Sequence, residues 1–163
     1  MTYNFDRFLK YDEMVSWLHD LQKQFPGLVA LETYGKSHKG RDLWIATVTD
    51  ASTGAHNTKP AHWIDANIHA TEATGSVAAL FILEYLANNF GNNDQVTEAL
   101  RTRTFYIVPR VNPDGAEDAL EDRPLYHRSS VRAWPWRDGH RWPGLSVEDI
   151  DGDGSIRTMR IPD

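Results

Sequence analysis

Two residues with metal-binding side chains, His69 and Glu72, lie three positions apart in the segment Asp65–Ser76, which reads DANIHATEATGS. Catalytic zinc sites combine such an imidazole and a carboxylate with a third protein ligand and a water. The spacing alone is weak support for a site. Seven histidines and 23 acidic residues in 163 positions yield about one His-x-x-acid pair by chance. The position of the pair in the fold must therefore decide its meaning.

A second pair, His62 and Asp65, has the same spacing but lies inside a predicted strand, 61–67. Strand residues three apart face opposite sides, so this pair cannot readily hold one ion. His69 and Glu72 instead follow the strand end, where open α/β sheets form their sites. The free N–H groups of a first helical turn stabilise negative charge there. The alternative is that His69 bonds to the backbone and Glu72 caps the helix.

Strands and helices alternate along the first two thirds of the chain, which predicts an α/β sheet with helices on its faces. Apolar spacing predicts an amphipathic helix over Tyr11–Phe25, ended by Pro26 and Gly27. A second helix, near 75–91, is apolar almost all round, as is typical of a helix buried against a sheet. The other predicted elements are strands at 28–33, 42–50, 61–67 and 104–109 and a short helix at 93–103.

Composition excludes several classes of protein. Hydrophobic residues make up 40% and charged residues 25%, as in globular domains, and cysteine is absent, so any metal ligands must be His, Asp or Glu. The net charge of −6 without a basic stripe argues against nucleic acid or an anionic membrane as a partner. No apolar run is long enough to span a membrane and no secretory signal is visible, so we expect a cytoplasmic protein.

A second acidic segment has a pattern typical of calcium loops. Every second position carries an aspartate, at Asp149, Asp151 and Asp153, and Gly154 follows. This order of residues matches the first half of such a loop. The twelfth position, where a bidentate glutamate is usual, holds Arg160. The segment therefore indicates either a calcium site or an Asp/Gly-rich turn whose carboxylates bond to nearby backbone N–H groups.

Three segments in order resemble the zinc carboxypeptidase family over about residues 11–115. GKSHKGRDLWIATVTD resembles the family's strand-entry signature, IHATEATGS its first metal motif, and IVPRVNPDGAE the Asn-Pro-Asp-Gly segment after its next core strand. Each segment is short, but their common order is specific. The resemblance implies a mixed sheet with helices on both faces.

The resemblance also implies function. His69 and Glu72 match the first two zinc ligands of an enzyme that removes C-terminal residues from peptides with a free C-terminus. The family has an arginine that polarises the scissile carbonyl, for which Arg128, Arg132 and Arg137 are candidates. The turn predicted over Asn112–Gly115 leads the chain toward this loop.

The family's third zinc ligand, its Asn-Arg pair and its glutamate base are not recognisable. His127 and His140 both precede the point where the third ligand is expected. We therefore expect 1–163 to be the N-terminal portion of a catalytic domain, with a core at 11–115 and a long loop region at 116–163. Such a chain would bind zinc weakly, be inactive alone and self-associate through uncovered sheet surface.

Two other functions stay open at this point. One is a related zinc hydrolase, either a peptidoglycan peptidase or an amidohydrolase. The other is a non-catalytic α/β module with a calcium-binding acidic loop.

Overall fold

The computed structural model describes residues 3–125, 127–132, 149 and 152–156. The chain divides into two compact units, 1–132 and 133–163, and the helices and strands described below belong to the first. Its elements are α1 (Tyr11–Gln24), β1 (Val29–Lys36), β2 (Asp42–Val48), β3 (Ala61–Asp65), α2 (Ala73–Asn89), α3 (Asp94–Thr102), β4 (Thr104–Val108) and α4 (Pro113–Ala119), with short 3-10 turns at Ala51–Thr53 and His56–Thr58.

The four strands form one mixed sheet in the order β1-β2-β4-β3. β1 pairs with β2, and β2 with β4, in antiparallel register, whereas β3 and β4 are parallel. A parallel pair needs a crossover connection, which α2 and α3 supply. Because β3 and β4 run the same way, the loops that follow them leave the same edge of the sheet. The predicted α/β class with a mixed sheet is confirmed.

Helices α1, α2 and α3 pack against one face of this sheet. Side chains alternate along each strand, and Ala46, Val48 and Ile107 point into the shared core. The helices contribute Met14, Trp17, Leu18, Leu21, Leu80, Leu83 and Leu100 to the same cluster. The buried apolar stripe predicted for Tyr11–Phe25 is therefore confirmed. Helix α2 buries one side against this core, but Phe81 and Tyr85 on its other side are 52% and 44% exposed, so its apolar sequence is not buried all round.

The opposite face of the sheet carries exposed aromatic side chains. Trp63 is 61% exposed and Tyr34 is 50% exposed, and the Trp63 ring is tilted by 41° against the Tyr106 ring, with ring centroids 6.4 Å apart. The second layer of helices predicted for this face is not found among the residues that the structure describes.

The segment Asn112–Gly115 is not the free-standing turn that its composition predicts. It is the beginning of α4: the Asn112 side chain accepts a hydrogen bond from the Gly115 N–H at 3.0 Å, and Pro113 occupies the first turn. Asn is a favoured N-cap, and proline fits the first helical position because its missing N–H would be unpaired there anyway. The irregular region predicted from residue 116 therefore begins only after Ala119.

Within the described residues, no helix combines the length and apolar character needed to cross a membrane.

Candidate metal centre

The loops after β3 and β4 run side by side and form the floor of the site. The Ala66 N–H donates to the Val108 carbonyl, and the Val111 N–H returns to the Ala66 carbonyl. The Asn112 N–H then donates to the Asn67 carbonyl at 3.1 Å. These bonds continue the parallel pairing beyond the strand ends, so the segment that leads to His69 is held by the neighbouring loop.

His69 and Glu72 face each other at the carboxyl edge of the sheet. The His69 Nδ1 atom lies 3.0 Å from both Oε1 and Oε2 of Glu72. The two side chains are 31% and 56% exposed, so both can reach solvent. Glu72 stands at the N-cap position of α2, but its side chain makes no capping hydrogen bond. The capping alternative is therefore not the arrangement adopted.

The pair fits a zinc ion in the type and spacing of its donor atoms. Two ligand atoms of a tetrahedral zinc, each about 2.0–2.1 Å from the metal, are separated by roughly 3.3 Å. The observed distance between His69 Nδ1 and either carboxylate oxygen of Glu72 is 3.0 Å. The two side chains would therefore have to separate only slightly to hold the ion between them. Among the described residues, no third His, Asp or Glu joins them in a group that could hold a metal. The described part of the chain thus brings together two side chains of types that can bind zinc.

A cleft of about 570 Å³ opens beside the pair. It runs between the edge strand β3 and helix α2, and Ile64, Ala78 and Ile82 form part of its apolar wall. A second depression, of about 290 Å³, also includes His69, on the side of the β1–β2 turn. The polar pair therefore lies where two concave surfaces meet, which is typical of a binding site.

The segment 127–131 is attached to the site by its main chain. The Ala70 N–H donates to the Arg128 carbonyl at 3.0 Å, and the Asn112 side-chain amide donates to the Ser129 carbonyl. The Arg128 guanidinium is 72% exposed and lies 3.7 Å from Glu72 Oε1. Of the predicted arginines, Arg128 therefore lies beside the His69–Glu72 pair.

The other two arginine candidates have different outcomes. The Arg132 N–H donates to Ser130 Oγ at 3.0 Å, and no described contact joins its side chain to His69 or Glu72. Arg137 lies outside the described residues, as does His140. His127 lies 3.6 Å from Asp118 through its Nε2 atom, so the one candidate extra histidine that the structure describes is paired elsewhere.

The second His-x-x-acid pair is divided by the sheet, as the sequence predicts. The His62 ring stacks on Phe105 at 5.2 Å, on the core side. Asp65 accepts a hydrogen bond from Trp63 Nε1 at 2.8 Å, on the open side. The same spacing therefore brings two side chains together after the strand end and separates them within the strand.

A buried carboxylate joins the β1–β2 turn to α4. Asp114 is 2% exposed and accepts hydrogen bonds from Ser37 Oγ, the Lys39 N–H and the Arg41 guanidinium at 2.7 to 2.9 Å. Burial raises the pKa of Asp114, but the three donors and the charge of Arg41 outweigh it, so the pKa lies below its usual value. Two of the three family-like segments, GKSHKGR and NPDG, thus meet at this carboxylate.

Gly115 has a steric role that sequence analysis did not identify. A Cβ atom at this position would come within 2.6 Å of the Ala70 Cβ and 2.7 Å of the Asn112 amide nitrogen. Ala70 is fully buried and is the residue after His69. The glycine therefore lets α4 approach the loop that carries His69 and Glu72, and no turn conformation requires it. Sequence analysis also missed Asn67 and Ser76, although an asparagine just after a strand end is a signal for left-handed backbone.

The acidic segment 149–154 makes local contacts where it is described. Asp149 accepts hydrogen bonds from the Gly152 and Gly154 N–H groups, both at 2.8 Å, and Asp153 accepts one from the Ser155 N–H. This is the pattern of the Asp/Gly-rich turn. Asp151 lies outside the described residues, and the described geometry of the segment lends a calcium site no support.

The sequence profile of the zinc carboxypeptidase family matches residues 14–144, which is most of the chain. The chain belongs to the zinc carboxypeptidase family. Among relatives, carboxypeptidase D of Mus musculus is 30% identical over 112 residues, covering 68% of this chain and 8% of that protein. Zinc carboxypeptidase A 1 of Drosophila melanogaster is 32% identical over 134 residues, covering 82% of this chain and 29% of that protein. The chain thus spans less than a third of these relatives.

Solved carboxypeptidase structures share the fold. Thrombin activatable fibrinolysis inhibitor superposes with a TM-score of 0.74 at 23% identity, over 86% of this chain and 34% of that one. Carboxypeptidase A from Helicoverpa armigera gives a TM-score of 0.67 at 24% identity, over 83% and 32%. The resemblance inferred from three short segments is confirmed, and membership of the zinc carboxypeptidase family implies zinc as the metal.

Proposed function

We propose that this chain carries the first part of the active site of a zinc-dependent carboxypeptidase, an enzyme that hydrolyses the last peptide bond of a peptide with a free C-terminus. The observation that carries the proposal is the pairing of His69 Nδ1 with the Glu72 carboxylate at 3.0 Å, beside an apolar cleft. Family membership supports the reaction class. The chain spans only part of its relatives, so the reaction is proposed for the protein as a whole.

Each residue has a chemical role in this proposal. His69 and Glu72 would hold zinc, which when bound makes a water more acidic and polarises a carbonyl. Arg128, whose guanidinium is 3.7 Å from Glu72, would donate hydrogen bonds to the scissile carbonyl as negative charge develops on its oxygen. The cleft between β3 and α2 would exclude water from one side of the substrate.

We further propose that residues 1–163 alone bind zinc weakly and do not turn over substrate. Two ligands leave the ion short of the three that a catalytic zinc site uses, and the described residues provide no third. The missing ligand and base would have to come from elsewhere in the protein.

The test compares a peptide with a free C-terminus with the same peptide amidated. The 163-residue chain is expected to cleave neither. The longest natural product of the gene is expected to cleave only the free peptide, to lose activity with a chelator, and to lose it with His69→Ala. Arg128→Ala is expected to lower kcat about 100- to 1,000-fold, and Arg132→Ala to change it little. Robust cleavage by the 163-residue chain would contradict the two-ligand proposal.

The same assay separates the related hydrolases. Release of amino acids from a peptidoglycan stem peptide, or from an acylated amino acid, with no cleavage of the free-C-terminus peptide would assign the site to a peptidoglycan peptidase or an amidohydrolase.

Self-association stays a prediction, supported by the exposure of Trp63 and Tyr34 on the open sheet face. The elution volume in size-exclusion chromatography is expected to fall as concentration rises, and to do so less for Trp63→Ser. A monomer at every concentration would contradict it.

A further inference from the structure

We propose that Asn67 is a positioning residue, one that holds the loop carrying His69 and Glu72 in the geometry that binds metal. This inference rests on the proposed function of the pair. Asn67 touches neither ligand side chain in the described contacts, is 4% exposed, and lies at the point where the chain leaves β3.

The first observation is the backbone conformation of Asn67. Its φ is 55°, in the left-handed region that only glycine adopts freely and that asparagine tolerates better than most residues. The chain must reverse here to run from the strand end into the ligand loop. A conformation of this kind persists when surrounding contacts hold it.

The second observation is that the Asn67 amide holds the ligand loop. Its Nδ2 donates to the His69 carbonyl at 2.7 Å and to the Ala70 carbonyl at 3.2 Å. The His69 carbonyl also accepts the Glu72 N–H at 3.1 Å. The His69 carbonyl is therefore held by two donors, which limits the movement of the main chain that joins His69 to Glu72.

A buried polar chain lies on the other side of this amide. Ser76 Oγ lies 3.1 Å from Asn67 Oδ1 and 2.8 Å from the Pro109 carbonyl, and receives Arg110 Nε at 3.2 Å. Ser76 is 1% exposed and Arg110 is 3% exposed. The single Ser76 hydrogen can go to either acceptor, so the amide is oriented by the His69 and Ala70 carbonyls, which can only accept and therefore require the NH₂ group of Asn67 to face the loop.

Two substitutions at Asn67 distinguish a role in positioning the loop from a role in folding. Asn67→Gly keeps the left-handed backbone at lower cost but removes every side-chain hydrogen bond. Asn67→Asp keeps the shape but turns a carboxylate oxygen toward two carbonyl oxygens, so it opposes the observed loop geometry. Neither change removes a metal ligand. Groups that orient metal ligands typically change metal affinity by about 10- to 100-fold.

The experiment titrates the 163-residue chain with Co²⁺, which reports its coordination through visible absorption, and follows urea unfolding in parallel. Asn67→Gly is expected to weaken Co²⁺ binding about 10- to 100-fold and alter the absorption bands, with an unfolding midpoint near that of the wild type. Asn67→Asp is expected to weaken binding at least as much. The control Asn89→Asp, at an exposed amide that donates to the Tyr85 carbonyl, is expected to bind as the wild type does.

Wild-type affinity and spectrum in Asn67→Gly would overturn the inference and leave the proposed function standing. A loss of affinity that only follows a loss of folding in both Asn67 variants would also overturn it. A wild-type chain that binds no Co²⁺ and no Zn²⁺ would overturn the proposed function, and the inference with it.

Discussion

The loop around His69 and Glu72 and the acidic segment 149–154 both carry carboxylates at a spacing typical of metal sites, but they are held in different ways. In the first, the Asn67 carbonyl accepts the Asn112 N–H and the Ala70 N–H donates to the Arg128 carbonyl, and both partners are distant in sequence. The described bonds of the second come from N–H groups at most five residues away. Sequence spacing records only local geometry, whereas the long-range bonds of the first loop show that distant parts of the chain position it.

The largest expected effect comes from breaking the long-range support at Asp114. Asp114→Asn leaves the Arg41 guanidinium without its carboxylate and weakens the bonds from Ser37 and Lys39. Because Arg41 is 29% exposed, we expect a loss of about 3 kcal/mol, the lower end for a broken buried pair. Urea unfolding measures it. The control Asp122→Asn, at an exposed residue, should stay within about 0.5 kcal/mol of the wild type.

The same carboxylate predicts a pH dependence of stability. The pKa of Asp114 is lower in the folded chain than its usual value, so its contribution is complete above the unfolded pKa of about 3.9 and is lost as pH falls through the folded value. Unfolding free energy should therefore fall below about pH 4, and fall less steeply in Asp114→Asn. Parallel pH profiles for the two proteins would show that Asp114 does not carry the effect.

The next effect tests the close approach of α4 to the ligand loop. Gly115→Ala places a methyl group 2.6 Å from the Ala70 Cβ, and we expect a loss of about 2 kcal/mol by overpacking, together with weaker zinc binding. Gly75→Ala is a graded comparison because its nearest neighbour would be the Asn67 nitrogen at 3.3 Å, so its cost should be smaller. Equal, negligible effects of both changes on thermal unfolding would contradict the steric account.

The smallest effect is expected in the acidic segment. Asp149→Ala removes two hydrogen bonds from exposed backbone N–H groups, so we expect a change of about 0.5 kcal/mol or less. If the segment is a turn, millimolar calcium should leave the thermal midpoint unchanged. A calcium-dependent rise in the midpoint that is lost in Asp151→Ala would restore the calcium prediction and remove the contrast between the two segments.

Much of the fold follows from local patterns in the sequence. The apolar stripe of Tyr11–Gln24 and the β-branched runs of the strands predict their elements to within one to three residues. The order of the strands does not follow, because pairing is decided by long-range contacts that no short pattern records. Helix α4 was missed because Asn, Pro, Asp and Gly suit both a turn and a helix start.

The candidate site was predicted only in part, because its support also depends on long-range contacts. The position of His69 and Glu72 after β3 correctly indicated that they would meet, and Arg128, one of the three candidate arginines, lies beside Glu72. The residues that support them, Asn67 and Gly115, act through contacts with α2, α4 and the loop main chain. Those contacts exist only once β3 and β4 are paired, so composition and spacing could not reveal them.

The central claim is that His69 and Glu72 are a positioned pair of zinc ligands, and a zinc titration by calorimetry tests it most directly. The wild-type chain should bind one zinc ion weakly, and His69→Ala or Glu72→Gln should abolish measurable binding. His62→Ala, from the pair with the same spacing that the sheet divides, should bind zinc as the wild type does. Undiminished binding in His69→Ala, or binding lost in His62→Ala, would contradict the account.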